Sequence, residues 1–127
     1  MDLDRFRQHC LAKPGVTEET PFGPDVLVFK VGPSSRKPSD GQAKLFALAP
    51  LDLFESVNLK CDPERAVELR AEHPGITPGY HMNKVHWNTV ACDGSVPDRL
   101  ILELVDHSYD LVRASLPKKV REGLEKP

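Results

Sequence analysis

The chain has 127 residues, of which 39% are hydrophobic and 28% are charged, and its formal net charge is −2. This composition predicts a single globular domain over residues 1–127, and it excludes a disordered chain or a general attraction for polyanions. No apolar run is long enough to cross a bilayer and the start is acidic, so we expect a cytoplasmic protein with no membrane partner.

The first third of the chain predicts one helix and one strand. Residues 3–12 carry apolar side chains on one stripe and predict a short helix that ends before Pro14. The stretch from Val16 to Pro24 is loop-like. Residues 26–31 form a nearly continuous β-branched run, which is typical of a central strand covered on both faces. Residues 32–42 have low complexity and predict a mobile connection.

Two further strands follow this connection. Residues 43–48 are apolar, and residues 54–61 alternate between apolar and polar side chains. That period of two predicts a strand with one packed face and one more open face. Because the links between the three strands are short or hairpin-like, we expect an antiparallel meander.

The second half of the chain predicts two helices around another strand. Asp62-Pro63 begins a helix that runs to about Glu72, and residues 85–92 form a strand. Pro97-Asp98 opens the longest helix, Pro117 ends it, and residues 118–127 form a basic tail. The order α-β3-α-β2-α indicates an α+β two-layer sandwich, an antiparallel sheet with helices on one face, because the strands come in runs.

The segment from Pro74 to Val90 is the strongest candidate for a binding surface. It holds the only Trp, one of two Tyr and two of five His. Two Pro-Gly pairs in its first six residues exclude a continuous helix there. Aromatic, amide and cationic side chains in an irregular segment suit a nucleobase, a phosphate or a peptide backbone. The candidate ligand-binding or nucleic-acid-binding residues are Lys60, Tyr80, His81, Asn83, Lys84, His86, Trp87 and Asn88. Trp87 is equally well interpreted as an anchor of the core.

Charge is unevenly distributed along the chain. Residues 30–44 carry four cations and one acid, and residues 113–127 carry five cations and two acids, so each segment sums to +3. Arg36 and Lys37 in the first segment are therefore added to the candidate phosphate contacts. A solvated, solubilising surface is the alternative interpretation of either segment taken alone.

No arrangement of residues predicts catalysis or a metal. Asp106-His107-Ser108 are consecutive on a helix and point about 100° apart, so they cannot converge on one atom. The His and Cys spacings match no zinc pattern. Cys61, at the start of a helix beside Lys60, is the best of the weak nucleophile candidates. We therefore expect a protein that is not an enzyme and has no cofactor or metal.

The chain resembles the MmcQ/YjbR family over nearly its whole length. The matching blocks are long and rich in rare residues, and they lie at Pro21–Val31, Lys44–Leu48, Val57–Pro63, Pro78–Lys84, His86–Val90 and Asp106–Tyr109.

The resemblance implies a small bacterial cytosolic protein with the two-layer α+β fold shared with type III secretion chaperones and frataxin-like proteins. It also implies DNA binding through a double-wing module, with one wing around Arg36 and Lys37 and the other at Asp93-Gly94-Ser95. Our leading hypothesis is therefore a monomeric, non-catalytic DNA-binding or regulatory protein. The alternative is a module that binds a protein or a small ligand in a groove formed by Tyr80–Asn88.

Overall fold

The computed structural model of the chain describes residues 1–33, 41–80 and 82–124. Its elements, in chain order, are α1 (Leu3–Leu11), β1 (Val16–Glu19), β2 (Val26–Val31), β3 (Lys44–Pro50), β4 (Ser56–Lys60), α2 (Pro63–Glu72), β5 (Ile76–Pro78), β6 (Trp87–Ala91), α3 (Asp98–Ala114) and α4 (Lys118–Leu124). The described strands form one antiparallel sheet in the order β1-β2-β3-β4-β6-β5. The predicted α+β architecture is therefore confirmed.

The two faces of the sheet differ in side-chain character. Leu59 pairs with Asn88, and Lys60 pairs with Trp87. Directly paired residues in an antiparallel ladder project to the same face, so Leu59 and Asn88 lie on the buried face while Lys60 and Trp87 lie on the other. We call that second face the open face, since α3 packs against β2, β3 and β4 from the opposite side.

Aromatic side chains fill the space between the sheet and the helices. The ring of Phe6 in α1 packs edge-on against that of Phe29 in β2, with 5.8 Å between the ring centroids. The rings of Phe46 in β3 and Tyr109 in α3 pack in the same way, with 5.5 Å between their centroids. Such edge-to-face pairs add about 0.5–1.5 kcal/mol each beyond the burial of their surface. The buried hydroxyl of Ser108 fixes the position of α3, because it donates to the carbonyl of Phe46 and accepts from the N–H of Lys60.

Helices α1 and α2 each begin after an aspartate whose side chain caps the helix. Asp2 accepts from the N–H of Arg5 at 2.8 Å, and Asp62 accepts from the N–H of Arg65 at 3.2 Å. Pro63 stands at the first turn of α2, where its missing N–H costs nothing. These caps satisfy backbone donors that the helices themselves leave unpaired.

Three elements differ from the sequence-based expectation. The first part of the segment Val16–Pro24, expected as a loop, forms the edge strand β1, which pairs with β2. The start of the candidate binding segment forms β5, paired with β6. The expected basic tail contains α4, a helix of seven residues. Most of the expected mobile connection, residues 34–40, lies outside the described residues.

No helix in the described part of the chain is both long enough and apolar enough to traverse a bilayer.

Candidate functional site

Segment 79–86 joins β5 to β6, and Arg70 of α2 fastens it to the sheet. The Arg70 Nε donates to Asn88 Oδ1 at 2.7 Å. Its Nη2 donates to the carbonyls of Lys84 and Trp87 at 2.5 and 3.3 Å. The planar guanidinium suits this task because its donors form a rigid fork. One side chain thus holds α2, β6 and the segment together.

Two more predicted site residues are used inside the segment. The Lys84 ammonium donates to the carbonyl of Gly79 at 3.1 Å. The Asn83 Oδ1 accepts from the N–H of Val85 at 2.9 Å, a local bond of the kind that Asn commonly makes in turns. Asn83, Lys84 and Asn88 therefore stabilise the shape of the segment.

The indole of Trp87 and the amide of Asn88 project to opposite faces of the sheet. Asn88 is only 2% exposed and lies beneath α2, whereas Trp87 is partly exposed on the open face beside Lys60. The Lys60 ammonium forms no ion pair with any residue that the structure describes. The predicted residues thus do not line one common hollow, because a strand alternates its side chains between faces.

The outer rim of the segment is exposed. Tyr80 is 68% exposed and Val85 is 59% exposed, and His86 between Val85 and Trp87 is also exposed. The N–H of Tyr80 donates to Thr89 Oγ1 at 2.9 Å, which fixes the backbone from which the ring projects. The candidates His81, Arg36 and Lys37 lie outside the described residues.

The two basic segments of the sequence meet in space. Lys44, the first residue of β3, donates through its ammonium to the carbonyl and hydroxyl of Ser115 at 3.4 and 3.3 Å. The N–H of Gly32 donates to the carbonyl of Gly15, and Gly15 lies directly against Leu124 of α4. The contacts of Lys44 with Ser115 and of Gly15 with Leu124 place α4 beside the last residue of β2 and the first residue of β3.

A small, open pocket lies between the end of α3 and α4, close in the chain to Ser115. Its volume is about 240 Å³, and it is lined by Arg113, Lys118, Arg121 and Glu122. Together with Lys44 these cations form what we call the basic cluster: Lys44, Arg113, Lys118 and Arg121. The four cations of the basic cluster and the one acid that lines the cavity, Glu122, give a formal charge of +3. The Lys118 Nζ lies 3.9 Å from the Glu122 carboxylate. Three convergent cations suit a phosphate group.

The opposite end of the sheet is acidic. The connections there are residues 20–25, 51–55, 73–75 and 92–97, and they contain four acids and no Lys or Arg. We call this the acidic end. The charge of Asp25 raises the pKa of Asp52 above its usual value, as expected for two neighbouring carboxylates. The net charge of −2 therefore conceals a molecule with a basic and an acidic pole.

The strand ends that flank the first expected wing and the turn expected as the second wing lie at opposite poles. The connection that contains Arg36 and Lys37 joins the ends of β2 and β3 near the basic cluster. The turn at residues 93–95 follows β6 at the acidic end. Asp93 accepts hydrogen bonds from the N–H and hydroxyl of Ser95, and these bonds lower its pKa. This turn therefore offers negative charge, not a phosphate contact.

The cysteines are buried, and burial raises the pKa of each thiol. The pKa rises to about 12 for Cys10 and about 11 for Cys92. At Cys61 burial also raises the pKa, against the opposing effect of Arg65. This raised pKa disfavours the thiolate, so it counts against Cys61 as a nucleophile. Among the described residues, no group of three or more His, Cys, Asp and Glu is placed to hold a metal.

Asp106, His107 and Ser108 have separate structural roles. Asp106 binds His9 at 2.7 Å and Lys13 at 2.5 Å, which joins α3 to α1. The Nε2 of His107 accepts from the N–H of Asp62 at 3.1 Å. With Ser108 bonded inside the core, no two of the three contact each other in the way a catalytic triad requires.

Comparison with known proteins places these features in a family. A model of the YjbR family matches residues 11–111. The uncharacterized protein YjbR of Escherichia coli (strain K12) is 35% identical over 125 residues, which cover 98% of each chain. A crystal structure of a Deinococcus radiodurans protein with a DUF419 domain has a TM-score of 0.87 at 41% identity, covering 98% of this chain and 88% of that one. A Pseudomonas syringae structure has a TM-score of 0.68 at 30% identity, covering 88% and 99%.

Proposed function

Because the chain belongs to the YjbR family, we propose its function on that premise: a non-catalytic DNA-binding protein that holds the phosphate backbone at the basic cluster. The observation that carries the proposal is the meeting of two distant cationic segments, which the contacts of Lys44 with Ser115 and of Gly15 with Leu124 support. Neither segment alone has the charge density that a polyanion requires. Their combination raises the local positive potential where the whole molecule is slightly negative.

The exposed rim of segment 79–86 supplies a second kind of contact. It lies at the same end of the sheet as the start of β3, since β6 begins where β4 ends. An exposed tyrosine ring such as Tyr80 can stack on a base, while Lys60 on the open face adds a cation. The acidic end repels DNA and thereby restricts its approach to one pole. The protein would act as a monomer in the cytoplasm.

The groove alternative has less support. It requires Asn83, Lys84 and Asn88 to present their polar atoms to a ligand together with Trp87. The Lys84 ammonium and the Asn88 Oδ1 are occupied by Gly79 and Arg70 respectively. The Lys84 ammonium and the Asn88 Oδ1 thus hold the segment and the neighbouring helix, and Asn88 Nδ2 is buried away from the exposed rim.

Fluorescence anisotropy with a labelled duplex of mixed sequence tests the proposal. The three cations that line the cavity and Lys60 suggest about four phosphate contacts, since the Lys44 ammonium is bound to Ser115. The affinity should therefore fall roughly a hundredfold between 50 and 200 mM salt. Lys118→Glu, at a side chain 81% exposed, should weaken binding and reduce the salt dependence by about one contact.

The matched control is Arg99→Glu. Arg99 is exposed in the first turn of α3, close to the acidic end, so the same charge change is made at the wrong pole. We expect this variant to bind DNA nearly as well as the native chain. Absence of binding at 50 mM salt, or equal losses in the two variants, would contradict the proposal.

A further inference from the structure

A second cavity opens on the open face of the sheet at its acidic end. Its volume is about 390 Å³, within the range of small-molecule sites. Strands β4, β5 and β6 supply the floor, and the turn after β6 supplies one wall. The lining residues are Ser56, Pro74, Gly75, Thr77, Thr89, Ala91, Asp93 and Ser95.

The lining combines an apolar floor with unoccupied hydroxyls. Ala91, Pro74 and Gly75 present carbon atoms to the cavity. The hydroxyls of Ser56 and Thr77, on the two strands that flank β6, form no side-chain hydrogen bond with any part of the chain that is described. A ligand with a hydrocarbon body and polar ends would match both kinds of surface.

Charge decides which polar group the cavity accepts. Asp93 Oδ1 accepts from the N–H of Ser95 at 3.0 Å and from its hydroxyl at 2.6 Å. These bonds stabilise the ionised carboxylate and lower its pKa. Asp93 has no ion-pair partner within the described ranges. An anionic ligand is therefore repelled and a cation is attracted.

We infer that this cavity binds an aliphatic primary amine, with the ammonium on Asp93 and the hydrocarbon chain along Ala91 and Pro74. The hydroxyls of Ser56 and Thr77 accept further hydrogen bonds from the far end of the ligand. The ammonium has three donors and needs acceptor oxygens, which the carboxylate and the surrounding hydroxyls supply. A diamine or a lysine side chain offers this chemistry, and neither needs the basic cluster.

Two-dimensional amide NMR titrations test the inference with three probes. Cadaverine represents a free diamine, Nα-acetyl-lysine amide represents a peptide-borne amine, and pentanol is the neutral control of similar length. We expect at least one amine to shift the amide signals of Ser56, Thr77, Thr89 and Ala91, and pentanol to leave them in place. The amine that binds identifies the source of the ligand.

Asp93→Asn is the decisive variant, because the Asn Oδ1 still accepts from Ser95 and preserves the turn. It should bind amines roughly tenfold or more weakly, as expected when a charged hydrogen-bond acceptor is neutralised. Asp4→Asn, on the exposed side of α1, is the charge-matched control and should bind normally.

Binding of pentanol equal to that of the amines, no response to either amine, or full amine binding by Asp93→Asn would each overturn the inference. DNA affinity should not fall in Asp93→Asn, because the change only removes negative charge from the acidic end. The amine site and the proposed DNA-binding function therefore succeed or fail separately.

Discussion

The Nε of Arg70 donates to the Oδ1 of Asn88 at 2.7 Å and thereby joins α2 to β6. Asn88 is 2% exposed, so its oxygen depends on this donor. The same guanidinium holds the carbonyls of Lys84 and Trp87. The backbone at Lys84 and Trp87, near the end of segment 79–86, is therefore held by a side chain on a neighbouring helix.

Replacing Arg70 by Ala should destabilise the fold and loosen segment 79–86. Loss of charged hydrogen bonds to partly buried acceptors costs about 2 kcal/mol or more. Urea unfolding gives the free energy, and amide hydrogen exchange reports the segment. Arg65→Ala is the control on the same helix. Among the residues that the structure describes, the Arg65 side chain pairs with the exposed Glu103 alone, so its loss should cost under about 1 kcal/mol. Equal destabilisation by the two variants would contradict the role of Arg70.

Ser108→Ala should also destabilise the protein, although its hydroxyl is small. The side chain is 0% exposed, and it donates to the Phe46 carbonyl at 2.5 Å while accepting from the Lys60 N–H at 2.9 Å. Both backbone groups would lose a partner, at a cost of about 1–3 kcal/mol. Thermal unfolding measures the loss of stability. The control is Ala114→Gly, an exposed change at the end of the same helix, which reports the effect of helix propensity without any change to the buried hydrogen bonds. A smaller loss for Ser108→Ala than for the control would count against this account.

The sequence predicted the elements that local chemistry determines and missed those that depend on pairing partners. The apolar run of β2, the alternation in β4 and the Asp62-Pro63 start of α2 were all confirmed. The residues of β1 were predicted as a loop, because the sequence Val-Thr-Glu-Glu is mostly polar, as an exposed edge strand permits. β5 is only three residues long and contains a proline, so its strand character comes from pairing with β6.

The candidate site was predicted in composition and not in geometry. The groove hypothesis grouped Trp87 with Asn88, which the strand places on opposite faces, and the sequence does not reveal that Arg70 occupies the Asn88 oxygen. The basic cluster was missed as a unit. Lys44 and Ser115 are 71 residues apart in the chain, and only the three-dimensional fold brings the two +3 segments together.

Acidification should weaken the fold through His107. Burial, together with the nearby charge of Arg65, lowers the His107 pKa below 6.5, while Asp62, Asp110 and Glu103 oppose that shift. The neutral ring accepts from the Asp62 N–H, and a protonated ring cannot. Because the folded pKa is depressed, the unfolded chain binds the proton first. The stabilising contribution is therefore complete above pH 6.5 and declines as the pH falls below it.

Urea unfolding from pH 8 to pH 5 measures this effect. His107→Gln, which retains a side-chain acceptor that does not titrate, should flatten the stability curve in that interval. Asp106 provides the contrast. Burial alone would raise its pKa, but the hydrogen bonds from Lys13 and His9 lower it overall, so its contribution is lost only at more acidic pH. An unchanged slope in His107→Gln would exclude His107 as the source.

Gly15→Ala tests whether the basic cluster depends on the position of α4. Gly15 has φ +73°, and a Cβ there would lie 2.1 Å from the Leu124 Cδ2. The left-handed backbone costs about 1–2 kcal/mol for a residue with a Cβ. The overlap with Leu124 requires in addition that this side chain, at the end of α4, changes its position. Gly123→Ala is the matched control inside α4, where a Cβ meets no atom within 4 Å and should stabilise the helix by about 0.5 kcal/mol.

If α4 must lie against Gly15 to complete the cluster, Gly15→Ala weakens DNA binding without removing any charge. Gly123→Ala then leaves the DNA affinity unchanged. Denaturant unfolding, measured on the same variants as the anisotropy, distinguishes a folded protein in which α4 has moved from a chain that has unfolded. Retention of full DNA affinity by a folded Gly15→Ala protein would show that the cations act from the surface independently of where α4 packs. The convergence of the two segments would then be a feature of the fold without a role in binding.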